Sequence, residues 1–164
     1  MNPLARANRF SWWAAAALAA LALLTYLLSP RIPGLSQWQL QSGFKNLTGY
    51  LLLALLVGMW LPTWLRQRFN RPTQLDWIKL SHQWLGVGFL AVLVLHANLL
   101  RSGFLALQTL VLLVLCSLGA AIVWAQLNGS IVRRRWWITT HIVLAFVASG
   151  FVLMHLYFVY AYHG

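Results

Sequence analysis

The chain has 164 residues, of which 61% are hydrophobic and 8% charged; a soluble domain carries about 25% charged residues, so a soluble globular fold is excluded. Runs of about 20 apolar residues, the length a helix needs to cross a bilayer, recur along most of the sequence. The net charge is +11 with Asp76 as the single acid, yet the basic residues sit between apolar runs rather than along one polar face, which argues against nucleic acid and for lipid head groups and topology.

The expected fold is all-α: an integral membrane bundle of five transmembrane helices forming a single transmembrane domain over 1–164. The spans are expected at about 10–29, 46–65, 77–100, 104–127 and 136–162. The first follows a basic front, MNPLARANRF. A cleaved signal peptide has a similar look, but the apolar run is long and no small-x-small cleavage site follows it, so a retained helix is expected. Pro30, Pro33 and Gly34 end it. Pro62 lies near the end of the second span, and Asp76 stands before the third, where its carboxylate is expected to cap the first turn. The fourth carries the lone Cys116. It has no internal disulfide partner, and with no C-x-x-C-H in the chain, covalent c-type haem attachment is excluded. Asn128-Gly129-Ser130 separates the fourth span from the fifth.

Loop charges set the expected topology. Arg6, Arg9, Arg66, Arg68, Arg71, Lys79 and Arg133 to Arg135 fall on one side, and Arg31, Lys45 and Arg101 on the other. The N-terminus is therefore expected in the cytoplasm and the C-terminus outside. Trp12, Trp13, Trp60, Trp64, Trp77, Trp136 and Trp137 sit near span ends, as interfacial belts require.

Two polar rings interrupt each of two apolar spans: His82 and His96 in the third, His141 and His155 in the fifth. The members of each pair are fourteen residues apart. On an α-helix that is a rise of about 21 Å and a return to within about 40° of the starting direction. Each pair shares a face, and because the third and fifth spans run in the same direction, His82 matches His141 in depth and His96 matches His155. A histidine inside a bilayer is expensive and has a partner. A lone one is explained by a hydrogen bond to a neighbouring helix. Two equal pairs on parallel helices suit two irons, each with two axial imidazoles. Small or apolar neighbours on those faces, Gly86, Phe89 and Leu93 after His82 and Ala145, Ala148 and Val152 after His141, leave room for a macrocycle. Zinc or copper transport is a competitor. No carboxylate or second Cys joins the rings, however, and the two depths are too far apart for one small ion. His163 falls off the shared face and is expected to be a non-ligand.

These segments, NLTGYLLLALLVGMWLPTWLR, HQWLGVGFLAVLVLH and RRRWWITTHIVLAFVASGFVLMH, resemble the ferric reductase-like transmembrane family. That family includes NADPH oxidases, metalloreductases and the haem subunit of a bacterial methionine sulfoxide reductase system. The resemblance implies stacked b haems between the third and fifth helices, with His82, His96, His141 and His155 as the axial ligands of the two irons. The family core has six helices where five spans are read here, and no G-x-G-x-x-G fingerprint is present. The expectation is therefore a di-haem cytochrome b that relays electrons across the bacterial inner membrane as a subunit of a larger redox complex and does not oxidise a nicotinamide by itself. Lys79, Arg133, Arg134 and Arg135 are candidate partners for the propionates of the cytoplasmic haem, and Arg101 or Lys45 for the external one; setting topology is their other role. Redox partner subunits and the lipid bilayer are the expected partners, with a quinone as a further candidate. Two alternatives stay open: a quinone-linked membrane anchor of a dehydrogenase or reductase, and a non-redox membrane scaffold whose histidines are packing devices.

Overall fold

The computed structural model describes residues 13–14, 16–17, 20, 35–68, 72–96, 103–128 and 130–163. All regular structure among them is helical: a short turn of helix, α1 (Leu35–Trp38), and four long helices, α2 (Ser42–Arg68), α3 (Pro72–His96), α4 (Phe104–Asn128) and α5 (Ile131–His163). The expected first span lies almost wholly outside the described residues. Among the described residues three helical stretches are long and apolar enough to cross a membrane: Ser42–Pro62, Gln74–His96 and Ile131–Tyr162. In α4 the apolar stretch is shorter, Phe104–Ala120. The chain forms two compact units, residues 1–98 and 99–164. The first contains the α2–α3 hairpin and the second the α4–α5 hairpin.

The helices begin and end on local chemistry. In the connection from α1 the amides of Leu40 and Gln41 bond back to Gln37 and Trp38 at 3.2 and 3.0 Å, and Lys45 N–H reaches the Gln41 carbonyl at 3.0 Å to start α2. Helix α2 then runs through Pro62. Proline has no N–H to donate to the carbonyl four residues back, at Gly58, and its ring crowds that turn. Helix α3 opens on Pro72, whose fixed φ and missing N–H suit the first helical position. Asp76 is thus an exposed residue inside the helix and not its cap; the proline moved the start five residues upstream of the expected span. Gly103, at φ 76°, adopts the left-handed backbone that favours glycine and accepts Leu107 N–H at 3.2 Å as α4 begins. Ser130 caps α5: its hydroxyl accepts Arg133 N–H at 3.3 Å and its carbonyl accepts Arg134 N–H at 3.0 Å.

Hydroxyls inside the apolar helices are satisfied by their own backbone, as a water-poor surrounding demands. Ser81 donates to Trp77 O at 2.9 Å, Thr109 to Leu105 O, Ser117 to Leu113 O and Ser149 to Ala145 O, each of the last three at 2.8 Å. The buried side chains include Ile78, Leu80, Phe89, Leu90 and Leu93 on α3, Leu112, Leu113 and Leu115 on α4, and Ala148 on α5. Large apolar side chains such as Leu47, Val57, Leu61, Phe146 and Leu153 point outward, the pattern of helices solvated by lipid tails rather than by water.

Candidate functional site

All four histidines of the two pairs fall on described helix, His82 and His96 on α3 and His141 and His155 on α5, and all four are half-buried. The two units are described separately, beginning with α2–α3.

His82 turns its Nδ1 to the backbone of α2, 3.2 Å from the Met59 carbonyl. A carbonyl only accepts, so the Nδ1 that meets it carries the proton. Met59 lies three residues before Pro62 in the turn where the proline interrupts the ladder. A proline in that position turns nearby carbonyls outward, which supplies the acceptor that His82 uses.

His96 reaches the same tautomer by a different route. Its Nδ1 is 2.8 Å from the Thr48 hydroxyl on α2. Thr48 has one hydroxyl hydrogen, and Phe44 O accepts it at 2.7 Å, with Lys45 O at 3.2 Å on the same side. The hydroxyl therefore meets His96 with a lone pair, and Nδ1–H donates to it. Beside Thr48 is Gly49, where a Cβ would stand 3.3 Å from His96 Cε1 and 3.9 Å from Nδ1. The glycine lets the ring lie close against α2. The end of α3 that carries His96 is pinned as well. The buried Gln39 side chain donates its amide to Val94 O at 3.2 Å and Leu95 O at 2.9 Å, two of the last-turn carbonyls that a helix cannot satisfy internally.

The face between these rings is the buried face of α3. Phe89 and Leu93 lie on it, as their spacing from His82 requires. Gly58 and Gly88 admit side chains from the opposite helix of the hairpin, Leu85 and Leu55. Gly86 differs: among the described residues a Cβ there would meet no heavy atom within 4 Å.

In α4–α5 the fit is steric. His141 presses its Cε1 edge against Gly119 of α4, where a Cβ would stand 3.1 Å from Cε1, 3.7 Å from Nδ1 and 4.0 Å from Nε2. Its Nδ1 is fully buried. One helical turn earlier, Trp137 donates its indole N–H to Leu118 O at 2.9 Å, so adjacent residues of α4 hold adjacent turns of α5. Ala148, expected to leave space for a macrocycle, is fully buried: protein already fills the volume beside it. Toward the other end Phe104 packs on Phe151 and Phe158 with centroids 5.5 and 6.0 Å apart. His155 stands between those two phenylalanines in sequence and has no hydrogen-bond partner among the described residues.

Of the cationic candidates, Lys79 is half-buried on α3 and Arg133, Arg134 and Arg135 are exposed in the first turn of α5. Arg101 lies outside the described residues. Cys116 is a free thiol. Among the described residues no three His, Cys, Asp or Glu side chains converge. Compared with known protein families, curated proteins and solved structures, the chain gives no match.

The residues that sequence reasoning missed are Thr48, Gly49, Gly119 and the Met59 carbonyl. One signal was available. Thr48-Gly49 places a hydroxyl and a notch side by side within an apolar span, a combination with no purpose on a lipid face.

Proposed function

We propose that the chain is a di-haem b-type cytochrome of the bacterial inner membrane, a five-helix subunit that passes electrons between partner proteins, with His82, His96, His141 and His155 as axial ligands. The observation that carries this reading is that His82 and His96 each turn Nδ1 to a hydrogen-bond partner on α2, the Met59 carbonyl and the Thr48 hydroxyl. A haem iron takes a neutral imidazole through a basic nitrogen, and a ligating histidine donates its other N–H to a fixed acceptor. The two α3 rings, each with Nδ1 turned to a partner on α2, support this reading.

When bound, haem supplies a one-electron ferrous–ferric couple. The chain's own part is to hold and tune. The Met59 carbonyl and the Thr48 hydroxyl keep Nδ1 protonated and orient the two α3 rings, and Gly119 fixes the approach of His141. The apolar helices exclude water, which lowers the local dielectric and raises the value of each charge left inside. Lys79 and Arg133 to Arg135 neutralise propionates at the cytoplasmic end, where the N-terminus also lies, with Arg101 or Lys45 serving the external end. The C-terminus is then periplasmic or external. The donor and acceptor are partner subunits, with a quinone as a candidate on either side.

One observation favours a second reading. Both α3 histidines are hydrogen-bonded within their own hairpin, which is also how a packing histidine in a scaffold protein behaves. The reduced-minus-oxidised visible spectrum and pyridine haemochrome of the purified chain separate the two. The cytochrome reading expects b-type α bands and haem bound to the chain; a flat spectrum leaves the scaffold.

A further inference from the structure

We propose that Thr48 is the positioning residue that sets the reduction potential of the haem ligated by His96, an inference that rests on the di-haem reading. Three observations converge on it. The Thr48 hydroxyl is buried and fixed in direction, because its hydrogen goes to Phe44 O at 2.7 Å. What it offers His96 is therefore an acceptor, at 2.8 Å from Nδ1. The neighbouring Gly49 has no side chain to hold the ring off, since a Cβ would come within 3.3 Å of Cε1. The imidazole is thus clamped in position and in tautomer by two consecutive residues of α2.

An acceptor on Nδ1–H raises the electron density at Nε2 and makes the ring a stronger donor to iron. A stronger donor favours the ferric form and lowers the potential. At His82 the acceptor is a backbone carbonyl, which no side-chain substitution at that position removes. At His96 it is a side chain. The two haems of one chain are then tuned by different means, one through a backbone carbonyl of α2 and the other through a side chain of α2.

The test uses the full chain purified with its haem, potentiometric titration of the α band and low-temperature electron paramagnetic resonance of the ferric state. His96→Ala first identifies which haem His96 holds. Thr48→Val, which keeps the shape and removes the acceptor, is expected to shift that haem's midpoint to a more positive value and to move its ferric resonance, with the other haem unchanged. Thr48→Ser restores the wild-type values. Gly49→Ala retains the hydroxyl but pushes the ring, and is expected to perturb the same haem alone. Should Thr48→Val fail to insert, Thr48→Cys, with its weak sulfur acceptor, takes its place and is expected to give a smaller shift of the same sign.

A structural role alone predicts lower yield with both midpoints unmoved. If His96→Ala removes one haem but the Thr48 variants leave its midpoint and resonance in place, the inference about Thr48 is overturned and the cytochrome reading stands. If the wild-type chain holds no haem, or His96→Ala leaves both, the cytochrome reading itself falls.

Discussion

The two hairpins hold their histidines by opposite means. In α2–α3, hydrogen bonds donated by the ring Nδ1–H groups to Met59 O and Thr48 Oγ1 orient the two imidazoles. In α4–α5, Gly119 fixes where the His141 ring can lie, and the Trp137 indole bonded to Leu118 O fixes the register of the helices beside it. A hydrogen bond specifies chemistry and tolerates small shifts; a steric notch specifies position and tolerates none. The hairpins differ in bulk too. The fully buried residue between the α3 rings is a leucine, Leu90, while the one between the α5 rings is an alanine, Ala148.

The largest expected effect comes from removing the rings. His82→Ala or His141→Ala is expected to remove one haem and spare the other, and His96→Ala or His155→Ala to do the reverse, read as haem per polypeptide. Loss of both haems from any single variant would show that the hairpins depend on each other more than the comparison allows.

Next in size is Leu90→Ala. A fully buried leucine truncated to alanine costs about 2–5 kcal/mol, seen as a lower unfolding midpoint in detergent with the α2–α3 histidines losing their spacing. Gly119→Val follows. The added Cβ would stand 3.1 Å from His141 Cε1, and overpacking costs about 1–3 kcal/mol. Gly150→Ala on the same unit is the control, since nothing described lies within 4 Å of its Cβ position; it is expected to be neutral or to gain a few tenths of a kcal/mol from helix propensity. Equal losses at Gly119 and Gly150 would refute the steric half of the comparison. The smallest effect is at Gln39→Ala, which strips the amide from Val94 O and Leu95 O. A loss of about 1 kcal/mol is expected, confined to the unit that contains His96 and visible as faster hydrogen exchange at the end of α3.

The long helices were legible because an apolar run of span length has few other uses, and the breaks at Asn128-Gly129-Ser130 and before Pro72 are local. Their ends were not. Hydrophobicity marks the slab that lipid occupies, whereas the hydrogen-bond ladder continues into polar residues: α2 begins at Ser42 and α5 at Ile131, four and five residues before the apolar signal. Asp76 looked like a cap because capping chemistry and first-turn acidity share a residue type; Pro72 decided the start instead. That the four histidines sit two on each of two helices was legible from the sequence. What orients them was not, because Thr48, Gly49, Met59 and Gly119 acquire meaning only when a second helix comes alongside, and pairing across a hairpin leaves no periodic trace in one chain.

The proposed pairing of His82 with His141 and of His96 with His155 is the central claim, and haem counting in double variants tests it most directly. If His82 and His141 serve one iron, the double variant His82→Ala/His141→Ala retains one haem per polypeptide, the same as either single variant, while His82→Ala/His96→Ala retains none. If His82→Ala/His141→Ala loses both haems and His82→Ala/His155→Ala keeps one, His82 shares its iron with His155 instead and the account is contradicted.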